Sequence, residues 1–246
     1  MWKALGESVA GTSHLAVNGE CQDAVALRIL GEGDGQILIF ALSDGAGSAR
    51  YASDASKLCV EGFCRLAEKS VTDPAETVDL LKCCEELHGI LMERAKELEV
   101  APRELAATVI GGVVTPNRAW FIHIGDGCII REKDGGYHAV TWPDSGEFVN
   151  TTVFLTSPDW KERAQCRVYD EPVTGIAAFT DGLQELVLEH ANRSVHQPFF
   201  PGMMARLREP GDSFQLAQPL RDFLASAPVN ERTDDDKTLL LACRVS

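Results

Sequence analysis

The 246-residue chain has no C-x-x-C pair and no Cys/His spacing suited to zinc, which argues against a cysteine-based metal site. Its eight cysteines (Cys21, Cys59, Cys64, Cys83, Cys84, Cys128, Cys166 and Cys243) fall mostly in apolar contexts. They read as reduced core thiols of a cytosolic protein. The N-terminus, MWKALGESVAGTSH, lacks the apolar region of a signal peptide, and no uninterrupted apolar stretch is long enough to span a bilayer. A cytoplasmic location and no membrane partner are therefore expected. No Pro/Ser-rich linker divides the chain, so residues 1–246 are expected to form one domain. Basic residues are scarce, 23 Lys and Arg against 37 Asp and Glu, giving a formal net charge of -14 and a pI near 4.8. Nucleic acid needs a basic footprint and is set aside as a partner. A chain this acidic can handle phosphate only where cations supply the missing charge, which points to divalent metal.

What is present is organised around Gln36 to Gly47, QILIFALSDGAG. The run Ile37 to Phe40 reads as a buried strand entered from the turn-forming cluster Gly31 to Gly35. It ends on Ser43-Asp44-Gly45, followed by small residues and a helical pattern. Asp44 is thus mounted on rigid backbone at the end of a sheet, a good position for holding a metal or a phosphate. Asp-Gly is also the commonest hairpin signal, and the chain has five such pairs. Asp34-Gly35 and Asp134-Gly135 lie in polar glycine clusters and read as hairpins. Asp44, Asp126 and Asp181 instead close apolar strands: LIFALSDG, WFIHIGDG and IAAFTDG. Asp126 fits both readings, because a second strand, CIIRE, follows at once.

In chain order, VAGTSHLAV and DAVALRIL read as two short strands joined by the turn Asn18-Gly19-Glu20. Two long amphipathic helices follow, over about 51–69 and 75–99, separated by Asp73-Pro74. Inserted between strands, they suggest a helical layer on a sheet. After Pro102 the runs AATVIGGVV, AWFIHIGDG, CIIREK and YHAVTW predict a meander, with His123 and His138 as satisfied strand histidines. His88 reads as surface or core filler. Residues 142–170 are less regular, with one strand expected near Val153 to Leu155 and a flap or lid around it. GIAAFTDGLQELVLEH repeats the strand, Asp-Gly and helix theme, and residues 198–227 carry two more helical patterns. The chain closes with NERTDDDKTLLLACRV, an acidic cluster at the mouth of an apolar strand. Asp234, Asp235 and Asp236 are candidates to join Asp44 and Asp181.

The ordered series GTSH and CQDA (11–14, 21–24), SDGAGS (43–48), AATVIGG (106–112), IGDG (124–127), GEFVNTT (146–152), FTDGLQ (179–184) and NERTDDDKT (230–238) resembles the metal-dependent protein phosphatases of the 2C type, in their bacterial PphC-like branch. The resemblance implies an α+β fold, a four-layer αββα sandwich of two antiparallel sheets flanked by helices. It implies a protein serine/threonine phosphatase working with two Mn²⁺ or Mg²⁺ ions and a weaker third. By motif, Asp44 would bridge the two ions, the Gly45 carbonyl would bind the second, and Asp181 and Asp235 would complete the first. Asp23 would hold metal-bound water, and Asp126 would serve the third ion. Hard oxygen ligands suit these cations, and paired ions activate water for in-line attack at phosphorus. The expected partner is a phosphoprotein substrate of a Ser/Thr kinase, or the kinase itself, met by a monomer.

Three departures from the family pattern stand out. Gln22 replaces a common Glu before Asp23, Asn18 stands where many members have a phosphate-gripping Arg, and Ala46 stands where some have a His. His14, close to Asp23 in sequence, is the substitute proposed for phosphate contact or proton donation, its alternative being a structural hydrogen bond. Gln22 and Asn18 favour a non-catalytic pseudophosphatase that binds phosphoproteins, whereas retention of Asp44, Asp181 and Asp235 argues against it. A dehalogenase-like phosphatase with an aspartyl nucleophile would want a second Asp where Ala46 stands.

Overall fold

The computed structural model describes residues 1–72, 78–144 and 152–245. The chain begins with β1 (Trp2–Val9), α1 (Thr12–Ala16), β2 (Asp23–Leu30), β3 (Ile37–Asp44), α2 (Ala52–Thr72) and α3 (Leu80–Glu97). It continues through β4 (Val109–Val114), β5 (Ala119–Ile124), β6 (Cys128–Lys133), β7 (Gly136–Ala139), α4 (Trp160–Arg163) and β8 (Gln165–Tyr169). Last come β9 (Gly175–Phe179), α5 (Gln184–Val187), β10 (Leu188–Glu189), β11 (Ser194–Val195), α6 (Pro201–Arg208), α7 (Ala217–Leu224), α8 (Ala227–Asn230) and β12 (Lys237–Arg244). Two five-stranded antiparallel sheets result, ordered β1-β12-β9-β6-β7 and β2-β3-β4-β5-β8. The α+β sandwich expected from the motifs is the fold observed.

Strand alternation builds the layers. Along β3, Leu38, Phe40 and Leu42 join the core between the sheets, where Leu240 and Ala242 of β12 meet them. The opposite face of β3, Ile39 and Ala41, packs with Ala55, Cys59, Phe63 and Ala67 of α2 and Leu87 and Leu91 of α3. Leu239 and Leu241 of β12 face outward against Met204, Leu207, Leu220 and Leu224 of α6 and α7. A strand covered on both faces reads as a continuous apolar run because neither period-2 face meets water. That accounts for IFAL in β3 and LLLAC in β12.

Several local expectations change in the folded chain. Residues 9–17 are not a strand: β1 ends at Val9 and Thr12 to Ala16 form the short helix α1. β1, unmarked in the sequence because its burial is uneven, pairs along its whole length with β12. The strand expected at 153–155 is absent, although the Leu155 N–H still donates to the Ala107 carbonyl. The strand lies instead at β8, an edge strand with mostly exposed side chains and hence no apolar alternation. The start of the second long helix and most of GEFVNTT fall outside the described residues. Asp134 and Gly135, with φ of 53° and 77°, form the expected tight turn between β6 and β7.

The Gly125-Asp126-Gly127 corner is not a hairpin. β5 belongs to one sheet and β6 to the other, so the predicted meander breaks at this point and the chain crosses the end of the sandwich. Gly125 supports the corner with φ of +124°, a conformation L side chains rarely adopt.

His123, two residues before Gly125, is fully buried, and among the described residues neither ring nitrogen makes a well-formed hydrogen bond, although the Gly125 backbone interacts with it. It is therefore not the satisfied strand histidine expected. Burial pushes its pKa down to about 4. A histidine depressed in the fold is neutral there while the unfolded chain protonates below about pH 6.5, so stability is lost as pH falls from that value toward 4. His123→Leu should accordingly raise unfolding stability by about 2 kcal/mol more at pH 5 than at pH 8. Urea unfolding at both pH values checks this, and an equal gain at each would contradict it.

Candidate metal centre

Six aspartates gather where strand ends meet at one end of the sandwich. Asp23 opens β2 directly opposite Asp44, the last residue of β3. Asp126 sits on the inter-sheet corner, Asp181 follows β9, and Asp235 and Asp236 precede β12. Pairing of Phe179 with both Leu239 and Cys128 brings these three segments to the same edge. Asp44, Asp126 and Asp181 each offer a carboxylate oxygen within 4.8 Å of the others. Asp235 stands outside that tight group, on the exposed rim, with one oxygen accepting from the Asp236 N–H at 2.8 Å.

Backbone and hydroxyl contacts hold the carboxylates in place. The Asp44 N–H donates to Thr108 Oγ1 at 2.9 Å, and the Thr108 N–H returns a bond to the Asp44 carbonyl at 2.8 Å. The Gly45 N–H donates to the Gln22 carbonyl at 3.1 Å, and a side chain at Gly45 would collide with the Ala52 carbonyl, 2.3 Å from the ideal Cβ position. Asp126 accepts from the Thr152 hydroxyl, while Gln184 Nε2 donates to the Asp126 carbonyl at 2.7 Å. Asp23 is buried, and its Oδ2 accepts from Thr180 Oγ1 at 2.7 Å and Thr238 Oγ1 at 2.8 Å.

Asp236 plays a part that the sequence left open among three consecutive aspartates. Its Oδ1 accepts from the Gly11 N–H at 2.6 Å and faces His14 Nδ1 at 2.8 Å, and its Oδ2 accepts from the Gln22 N–H at 2.6 Å. It ties the 11–14 turn and the start of β2 to the mouth of β12. Which aspartate of a run points inward is set by turn geometry, and no residue pattern in the sequence marks it. Asn18, in the left-handed region at φ 55°, ends the α1 turn.

Electrostatics show what this end of the molecule requires. Burial, then repulsion from Asp23, Asp181, Asp126 and Asp235, raises Asp44 well above the carboxylate range. Burial, with Asp126 and Asp235 adding, pushes Asp181 up to about 8, and burial pushes Asp23 to about 7 against its two hydroxyl donors. Asp126 is raised mainly by burial. Among the described residues, the buried acceptor oxygens Gln22 Oε1, Asp23 Oδ1 and Asp126 Oδ1 remain without donors. Convergent hard oxygens, mutual repulsion and unmet acceptor capacity fit a divalent cation with its hydrating waters.

Lys237 supplies positive charge beside this cluster. It is fully buried, and its Nζ donates to Asn230 Oδ1 at 2.9 Å and to the Asp235 carbonyl at 3.1 Å. Desolvation lowers its pKa, and Asp236 and Asp235 oppose that loss. If it offsets carboxylate repulsion, its worth is largest before ions arrive. Lys237→Met should cost roughly 2 kcal/mol in metal-free protein, about 5 °C in Tm, and distinctly less with millimolar Mn²⁺. Thermal unfolding with EDTA and with Mn²⁺ checks this, and equal losses would mean that Lys237 only packs.

Comparison with known proteins places these features in a family. Residues 10–225 match the family described as Protein phosphatase 2C. Serine/threonine-protein phosphatase 3 of Escherichia coli (strain K12) is 34% identical over 249 residues, covering 98% of each chain. Among solved structures, the Mycobacterium tuberculosis serine/threonine phosphatase PstP/Ppp superposes with a TM-score of 0.66 at 14% identity, covering 100% of this chain and 99% of the other. RsbX in complex with magnesium superposes with a TM-score of 0.57 at 16% identity, covering 98% and 94%. With a family match over most of the chain and a relative 34% identical along nearly its whole length, the chain belongs to the protein phosphatase 2C family of metal-dependent serine/threonine phosphatases.

Proposed function

We propose that this chain hydrolyses phosphoserine and phosphothreonine in proteins, removing phosphate that a Ser/Thr kinase has placed there. The convergence of Asp44, Asp126 and Asp181, with unmet acceptors beside them, carries the reading. These residues would hold Mn²⁺ or Mg²⁺, two ions with a weaker third at Asp126, the Gly45 carbonyl and Asp235 completing the set. When bound, the ions supply an activated water and neutralise phosphoryl oxygens, so no covalent enzyme intermediate is needed. Extent of similarity supports treating residues 1–246 as one catalytic domain. Among the described residues no helix is long and apolar enough to cross a membrane.

The remaining steps fall to the protein's own groups. Asp23 Oδ1 and Gln22 Oε1 accept from water and orient it, because their other contacts are already fixed or absent. His14 gives a proton to the departing Ser or Thr oxygen. Its Nδ1 is engaged by Asp236, which raises its pKa, and the second ring nitrogen is left for substrate. An alkoxide leaving group needs that proton, whereas nitrophenolate does not.

Three expectations test the reading. Wild type should release phosphate from p-nitrophenyl phosphate and a phosphothreonine peptide with millimolar Mn²⁺ and not with EDTA. Asp44→Asn and Asp181→Asn should each lose on the order of 10³-fold in kcat while staying folded; near-wild-type turnover in either would discard the site. His14→Gln should lose about 10²-fold on the phosphothreonine peptide and little on p-nitrophenyl phosphate. Equal losses on the two substrates would return His14 to a structural role.

A further inference from the structure

A cleft of about 590 Å³, joined to the Asp126 corner through backbone, is lined by Trp142, Asp144, Arg163, Gln165, His190 and Arg193, among others. Its floor is tied to the catalytic end through backbone. The Asp144 N–H donates to the Gly125 carbonyl at 3.1 Å, one residue before Asp126. Gln165 Nε2 donates to the Trp142 carbonyl at 2.6 Å while its Oε1 accepts from the Trp142 N–H at 3.2 Å, clamping the tryptophan. Arg163, at the end of α4, donates through Nε to Asp144 at 2.7 Å, so one edge of its guanidinium is already used.

Arg193 is different. It sits at the tip of the β10–β11 hairpin in the left-handed region, φ 48°, with its guanidinium 5.4 Å from the centre of the Trp142 ring. His190, at the other side of the same tip, packs edge-on against that ring at 6.0 Å. Among the described residues Arg193 makes no ion pair, whereas Arg163 has Asp144 and His190 has Glu185 within 3.5 Å. Stacking on an indole orients a guanidinium while leaving its N–H edge free, so little side-chain freedom is lost when an anion arrives.

We propose that this cleft is an anion subsite for the substrate chain, in which Arg193 receives a carboxylate or a second phosphate near the phosphorylated residue. The inference rests on the phosphatase reading and narrows its substrates to phosphoproteins with acidic surroundings. In a chain of net charge -14, an acidic substrate is otherwise repelled. A preoriented arginine in this cleft gives such a substrate one favourable contact and sets the direction in which it lies.

The test compares three phosphothreonine peptides, flanked by Ala, by Glu or by a second phosphothreonine, with p-nitrophenyl phosphate as a substrate too small to reach the cleft. Arg193→Ala should raise KM for the Glu-flanked peptide about fivefold, leaving its kcat, the Ala-flanked peptide and p-nitrophenyl phosphate unchanged. Arg193→Glu should raise it further, and Arg193→Lys should restore part of it. A larger effect on the doubly phosphorylated peptide than on the Glu peptide identifies phosphate as the ligand, and the reverse identifies carboxylate. Equal changes on all four substrates, or none, would overturn the subsite. Binding of the fluorescently labelled Glu and Ala peptides, followed by anisotropy with Mn²⁺ present, separates this inference from the phosphatase reading. Should wild type hydrolyse nothing, selective weakening of the Glu peptide by Arg193→Glu still supports the cleft, and equal binding refutes it.

Discussion

Carboxylates that would repel one another in isolation are held together at one end of this molecule, and much of the surrounding structure serves that purpose. Asp44, Asp126 and Asp181 come from three separate segments, and each is carried by backbone whose position is fixed elsewhere. β3 lies between β2 and β4, β9 lies between β6 and β12, and the 125–127 corner joins the two sheets. The energy that holds the cluster is therefore spread through the inter-sheet core, where Leu38, Phe40, Ile110, Phe121, Ile176 and Leu240 are buried. Burial, with mutual repulsion adding to it, raises the carboxylate pKa values while the strands stay paired. A centre held in this way is preorganised for cations.

Within that frame the acidic residues divide by what they already satisfy. Asp236 accepts from two backbone N–H groups and faces His14, so its bonding capacity is spent on joining chain segments distant in sequence. Asp23 is half spent, with one oxygen held by two threonine hydroxyls and the other open. Asp126 likewise keeps one oxygen open. Asp235 and Asp236, adjacent in sequence, differ in the same way: Asp236 is buried and tied to distant segments, whereas Asp235 is exposed at the rim. The same logic separates Arg163, paired with Asp144, from Arg193, which among the described residues makes no ion pair and stacks on the face of Trp142.

Reading the sequence picked out the converging aspartates better than the backbone around them. The apolar runs closed by Asp44 and Asp181 are strands ending at the site, because a strand buried on both faces writes itself as an unbroken apolar stretch. β1 and β8 left no such mark, the first because its burial is uneven and the second because it is an edge. The GDG corner fitted both a hairpin and a strand-closing site, because two strands separated by three residues look alike whether they pair with each other or enter different sheets. His123 looked ordinary because sequence shows a histidine's alternation and not its hydrogen-bond partners.

By itself the sequence determined the family, the sandwich and the identity of the acidic residues, since residue type, order and local hydrophobic period are properties of the linear chain. The tertiary structure decided the rest. It grouped Asp126 with Asp44 and Asp181 and left Asp235 at the rim. It gave Asp236 its tie to His14, buried Lys237 beside the cluster, and stacked Arg193 on Trp142. Each of these joins residues far apart in the chain, and their distance, burial and unmet hydrogen bonds exist only once both sheets have closed.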